Sequence, residues 1–160
     1  MLNVTDNLPA YKQQIESFLA KLDSEKEYFN LTVERVMNWE LVMVEMLNEE
    51  IIAIAGLERK FGIVRNNLMI KKEFQGIGLG KRLMLELLSE SKLKHNLLWA
   101  VISEKNIAAI KNDLATGHKI VGNRQNMCYL VAPLNWKGKL LYYLIRALFP
   151  TTKLLDLIRR

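Results

Sequence analysis

Cysteine occurs once, at Cys128, and histidine twice, at His95 and His118. A lone cysteine excludes an internal disulfide and fits a reducing compartment. So few soft ligands make a structural zinc site unexpected, and no metal is expected. The N-terminus carries Asn3, Asp6 and Asn7 rather than a basic stretch followed by an apolar one, so no secretory signal is expected and a cytoplasmic location is. No apolar run approaches the roughly 20 residues that a bilayer span requires, so no transmembrane span is expected. Basic clusters interleaved with aromatics are also missing; despite a net charge of +6 and a pI near 9.4, nucleic acid is not an expected partner. The excess of positive charge still favours anionic ligands in general. Internal repeats and low-complexity linkers are absent. What remains is a chain of 160 residues, half of them hydrophobic, which suits one globular domain with a proper core.

Against this background one stretch stands out, Gln75-Gly76-Ile77-Gly78-Leu79-Gly80-Lys81-Arg82. An apolar run ending at Ile70 precedes it and an amphipathic run from Leu83 to about Ser91 follows, so it reads as strand, glycine loop, helix. A helix opening from such a loop leaves its first N–H groups unpaired and turns the positive end of its dipole into the loop. That combination is an anion site, most naturally for phosphate. Lys81 and Arg82 sit in the first helical turn, where the dipole disfavours cations, and a bound polyanion would remove the conflict. A tight strand–helix turn with two solvated basic residues is the plainer alternative. The dinucleotide pattern GxGxxG fails because Lys81 takes the place of its last glycine, and the P-loop fails because Gln75 stands where its first glycine belongs.

The pattern that fits is Gln-x-x-Gly-x-Gly, as Gln75, Gly78 and Gly80. It resembles the pyrophosphate-binding motif of the GNAT-type, acyl-CoA-dependent N-acetyltransferases. Leu68 to Phe74 is similar to that family's fourth strand and its exit, with Lys72 where proline is usual. Val101 to Ile110 resembles its second motif, a strand followed by a helix that starts at Asn106. The resemblance covers roughly Leu41 to Leu134. It implies an α/β (α+β) fold, a central mixed and splayed sheet of about six to seven strands flanked by helices. Residues 1–135 would form the acyl-CoA-binding domain and 136–160 an amphipathic helical extension.

Taken in order, Leu8 to Leu22 reads as a helix with Pro9 in its first turn and Tyr11, Ile15, Phe18, Leu19 and Leu22 on one face. Tyr28 to Val36 is ambiguous, and the alternation of Phe29, Leu31 and Val33 favours a strand. Trp39 and Tyr28 would line an acceptor pocket or simply belong to the core. Leu41–Leu47 and Ile51–Arg59 form a hairpin around Asn48-Glu49-Glu50. The strand Ile63–Ile70 has a polar centre, Arg65-Asn66-Asn67, that suits either a splayed strand or a bulge. The helix after the glycine loop places Leu79, Leu83, Met84, Leu87 and Leu88 on one face. Leu97–Ile102 is a buried strand, and the Asn106 helix runs to about Thr116 with Gly117 as its stop. A last hairpin turns around Gly122-Asn123-Arg124. In the tail, Leu140, Leu141, Leu144, Ile145, Leu148 and Phe149 make a helical stripe, broken by Pro150. It would pack on its own domain, mediate a homodimer, or lie on a membrane surface through residues 139–158.

The resemblance implies acetyl-CoA as co-substrate and a primary amine as acceptor, joined by direct attack in a ternary complex. The main chain of Leu68, Met69 and Ile70 would pair with the pantetheine arm, and the N–H groups from Gly76 through Ile77, Gly78, Leu79 and Gly80 to Lys81 would hold the pyrophosphate. Glycine at 78 and 80 would leave room for the phosphate. Asn106 would bind the pantetheine arm, and the Ile70 N–H would polarise the thioester carbonyl. The departures concern catalysis. The tyrosine that serves many relatives as general acid is replaced by Asp113, so that Asp113 itself, Tyr129 or His118 is the acid or none is needed. Glu58 is the candidate base, or an ordinary strand-end carboxylate. Cys128 reads as a small buried hydrophobe. An acyltransferase and a non-catalytic CoA-binding module both remain compatible with these residues.

Overall fold

The structure, a computed structural model, describes residues 2–22 and 31–148. Its centre is a seven-stranded sheet in the order β1-β2-β3-β4-β5-β7-β6: β1 (Leu2–Asn3), β2 (Leu41–Leu47), β3 (Glu50–Lys60), β4 (Ile63–Ile70), β5 (Leu97–Ser103), β6 (Lys119–Arg124) and β7 (Met127–Pro133). Every neighbouring pair is antiparallel except β4 and β5. That pair is parallel because the chain crosses between them through helix α3 (Leu79–Ser91). β3 and β4 stay in register from Ala53↔Ile70 to Lys60↔Ile63, so the polar centre of β4 contains no bulge. β4 meets β5 in register only at Arg65↔Trp99. Beyond that point the two strands part, and the sheet is splayed between Asn67–Ile70 and the end of β5.

Three hairpins close with two-residue turns whose central residues both have positive φ, Asn48-Glu49, Phe61-Gly62 and Gln125-Asn126. This backbone matches the right-handed twist of the flanking strands. The last hairpin therefore turns at Gln125-Asn126 rather than around Gly122-Asn123-Arg124. Gly122 instead marks a register shift against β7, the use of an isolated strand glycine as a bulge.

One sheet face is covered by α3 and α4 (Ile107–Ala115). From α3, Leu79, Leu83, Met84, Leu87 and Leu88 pack on Ala53, Ala55, Leu57 and Leu98. Each such buried leucine contributes about 1.5–3 kcal/mol. Ile110 of α4 packs on Ala100, Cys128 and Leu130. The opposite face carries α1 (Lys12–Leu22), preceded by a 3-10 stretch Thr5–Tyr11, and α2 (Val33–Met37). Ile15, Phe18, Val36 and Trp39 pack there on Val42, Val44, Ile54 and Met69. The expected strand over Tyr28–Val36 is corrected where it is described. Thr32 caps a helix, its hydroxyl accepting from the Arg35 N–H, and Val33–Met37 winds so that Val36 points inward. Tyr28 and Phe29 lie outside the described residues.

Helix α5 (Trp136–Leu148) packs on β5, β6 and β7 on the same face as α1 and α2. It docks through Gly138, whose main chain lies against Asn96, and through Tyr142 and Ile145. The Lys119 Nζ sits 4.8 Å from the Tyr142 ring centre. Leu140, Leu141 and Leu144, which carry most of the apolar stripe read from the sequence, are exposed. Phe149, Pro150 and the piece after them lie outside the described residues. No helix among the described residues is long and apolar enough to cross a membrane.

Candidate functional site

The glycine loop lies where β4 leaves the sheet. Gln75 folds back so that its Nε2 donates to the Ile70 carbonyl at 3.0 Å, tying the loop to the strand end. Gly76 and Gly78 have φ of +78° and +85°, a region that costs other residues about 1–2 kcal/mol. Gly78 caps α3 with no side-chain bond, and the first helical bond runs from the Arg82 N–H to the Gly78 carbonyl. Among the described residues, none of the N–H groups from Gly76 to Lys81 has a hydrogen-bond acceptor. An arc of unpaired donors at the positive end of a helix of 13 residues fits a pyrophosphate.

Gly80 has another reason to be glycine than the one expected. A Cβ there would lie 3.1 Å from Ile70 Cδ1, 3.2 Å from Asn112 Oδ1 and 3.4 Å from Leu68 Cδ2. It lets α3 approach β4 and α4, while a Cβ at Gly76 or Gly78 would meet open space. Leu68, Met69 and Ile70 stand on the parted stretch of β4, with Met69 buried. Asn106 is the N-cap of α4: its Oδ1 accepts from the Ala109 N–H at 3.0 Å, so the cap engages the oxygen and not the amide nitrogen.

The candidate acids and bases fall on both sides of the sheet. Asp113 and His118 are buried on the α3/α4 side with Asn66 of β4. The His118 Nε2 lies 3.2 Å from Asn66 Oδ1 and 3.9 Å from Asp113 Oδ2, and Nδ1 lies 3.1 Å from the Asp113 carbonyl. Burial pushes the Asp113 carboxyl up, partly offset by the imidazole, and pushes the His118 imidazole down, partly offset by the carboxyl. Both shifts favour an uncharged pair, a protonated carboxyl beside a neutral imidazole. Cys128 is buried and its thiol is pushed up to about 12, mainly by burial. It is a packed hydrophobe.

On the opposite face, Glu58 is held by Arg35, with Nε–Oε1 2.6 Å and Nη2–Oε2 2.7 Å. These bonds lower its carboxyl below the usual range, which makes it a poor base. The sequence contained no signal for this pair, because its partners come from α2 and β3. Beside it opens a cavity of about 460 Å³, lined by Arg65 of β4, Trp99 and Val101 of β5, Arg124 of β6 and Tyr129 of β7. Val101 and Tyr129 are register partners, and Arg65 and Trp99 mark the point where β4 and β5 part. Tyr129 alone among the candidate acids faces this cavity. Trp39, stacked against Gly56, is core.

No family model matches the sequence, and no curated protein does. Solved structures do match. The acetyltransferase of the GNAT family from Streptococcus pneumoniae superposes with a TM-score of 0.65 at 16% identity, over 79% of this chain and 95% of that one. The GNAT domain of S. lividans PAT gives 0.67 at 15% identity, over 78% and 85%. AAC(6')-Ib, in complex with paromomycin and acetyl-CoA, gives 0.62 at 16% identity, over 81% and 90%. The chain has the fold of the GNAT-family acetyltransferases.

Proposed function

We propose that the protein transfers an acetyl group from acetyl-CoA to a primary amine. The observation that carries this reading is the arc of unpaired N–H groups from Gly76 to Lys81, set beside the parted ends of β4 and β5. The donors bind the pyrophosphate, and the free edge of Leu68–Ile70 receives the pantetheine arm. The fold neighbour solved with acetyl-CoA supports the same ligand. The amine nitrogen forms a bond to the acetyl carbonyl carbon, the C–S bond breaks, the nitrogen loses one proton, and the departing thiolate gains one. The Ile70 N–H polarises the carbonyl. A lysine-like amine is neutral in fewer than about one molecule in a thousand at pH 7, so it must shed a proton first. With Glu58 bound by Arg35, water is the acceptor of that proton. Tyr129, facing the cavity, supplies the proton to the thiolate.

Calorimetric titration with acetyl-CoA of the wild type and of Gly78→Glu tests the reading. Binding by the wild type that the added carboxylate abolishes is the expected result; a folded wild type that binds no acetyl-CoA at millimolar concentration overturns it. A CoA-binding module without transfer is the second reading, favoured by the engagement of Glu58 with Arg35. Thiol release in the presence of an amine separates the two.

A further inference from the structure

The cavity beside the strand splay has a chemistry of its own. Among the described residues, its charged lining residues are Arg65 and Arg124, and no acidic residue lines it. Among the described residues neither arginine makes an ion pair. Glu58, the register partner of Arg65 on β3, feels the charge of Arg65, but both its oxygens are bonded by Nε and Nη2 of Arg35. On the same sheet face, Asn67 Nδ2 and Trp39 Nε1 are buried donors with no hydrogen-bond partner. They neighbour each other across Gly56, which pairs with Asn67 and carries the indole. The two guanidinium groups and these two buried N–H groups all donate, and buried donors call for an acceptor. Apart from Gly122 and the amide of Asn123, the rest of the lining, Trp99, Tyr129, Ile63, Val101 and Leu148, is apolar or aromatic. The cavity is of a size that suits a small molecule.

We propose that the acceptor is a small amine carrying a carboxylate on an apolar or aromatic body, the chemistry of a free apolar α-amino acid, and not a polycation. The inference rests on the acetyl-transfer reading and narrows its acceptor. Arg65 and Arg124 receive the carboxylate, for which planar guanidinium forks are suited. Trp99 and Tyr129 hold the body, and the amine faces the splay, where the thioester arrives. The new N–C bond forms at that amine as the thioester C–S bond breaks, and CoA leaves as the thiol. A polyamine or aminoglycoside would bring its cations against two unpaired arginines.

The test compares ligands that differ by the carboxylate alone. With CoA bound, N-acetyl-L-phenylalanine and N-acetylphenethylamine are titrated calorimetrically, and thiol release from acetyl-CoA is followed with phenylalanine, phenethylamine and spermidine. The carboxylate is expected to tighten binding by about tenfold or more, as a hydrogen-bonded charge does. Arg65→Gln with Arg124→Gln should erase that preference and leave acetyl-CoA affinity unchanged. Equal or better binding of the uncharged amide, faster turnover of spermidine, no binding of N-acetyl-L-phenylalanine at millimolar concentration, or a double variant that keeps the preference would each overturn the inference while acetyl-CoA binding stands. Loss of acetyl-CoA binding in the wild type itself would overturn the reading beneath it and the inference with it.

Discussion

Gly56→Ala should be among the most damaging single-methyl additions in this chain. Gly56 lies in β3, and a Cβ there would fall 2.2 Å from Trp39 Cε3, 2.7 Å from Trp39 Cζ3 and 2.6 Å from the Leu41 carbonyl oxygen. Ordinary carbon contacts begin near about 3.5 Å, so the indole would have to retreat by more than about 1 Å. It has little room, being buried among Val36, Val42 and Ile54. The carbonyl belongs to β2, whose Val42 pairs with Gly56, so it cannot turn away without breaking the ladder. Overpacking of this kind typically costs about 1–3 kcal/mol, and a clash with main chain belongs at the upper end. With a urea dependence of about 2 kcal/mol per molar, the midpoint should fall by about 1.5 M. Equilibrium urea unfolding followed by tryptophan fluorescence and circular dichroism reads this directly. Repeating the substitution in a Trp39→Leu background isolates the indole: the cost should drop to about 1 kcal/mol, the share left to the Leu41 carbonyl. A midpoint shift below about 0.3 M, or the same cost in both backgrounds, would refute the stacking of Trp39 on Gly56.

Two further outcomes concern the candidate proton donors. Tyr129→Phe should lower kcat by about a hundredfold or more while leaving acetyl-CoA affinity intact, as measured by thiol release beside calorimetry; an unchanged kcat would remove Tyr129 as the donor. Asp113→Asn should leave kcat nearly untouched and change stability with pH. Because burial raises the folded-state pKa of Asp113, its contribution to stability is fully present below the unfolded value of about 3.9 and is lost as pH rises through the raised folded value. The Tm of the wild type relative to Asp113→Asn should therefore fall as pH increases above about 4, and a difference that rises over that range would show an ionised carboxylate.

The parts of this fold that were legible in the sequence are those specified within a few residues. The apolar face of α3 follows from its own periodicity, and α4 begins at Asn106 because that side chain caps it. The splay is foreshadowed by Arg65-Asn66-Asn67, polar groups that a fully paired central strand would not tolerate. Misreadings arose where a short pattern admitted two periods. Leu31 and Val33 alternate, but Thr32 caps a helix, and five residues after it settle the matter through Val36. In α5 the leucines outnumber the tyrosines, yet Tyr142 docks, since its ring meets Lys119 and its hydroxyl accepts from Arg146 at 2.9 Å. What no local pattern could supply were contacts between distant segments: Asn66 with His118, Arg35 with Glu58, and the arginines of β4 and β6 on one cavity.

This division follows from the chemistry that the proposed function asks of each half of the site. A diphosphate site of the kind proposed is built of main-chain N–H groups, so its constraint appears as glycines and positive φ, features that a linear sequence displays. The proposed acceptor recognition and proton transfer would instead use side chains brought together by the sheet, and any residue with the right functional group on the right strand would serve. Asp113 illustrates the consequence. Its place in the chain suggests an acid, but its burial beside His118 and Asn66, on the sheet face away from the cavity, makes it part of the packing beneath the splay. Tyr129 enters through a different strand, β7, whose register against Val101 brings it to the cavity. In the proposed reaction the proton donor is therefore Tyr129 of β7 and not residue 113, while the place where the proton is needed, the splay, is the same.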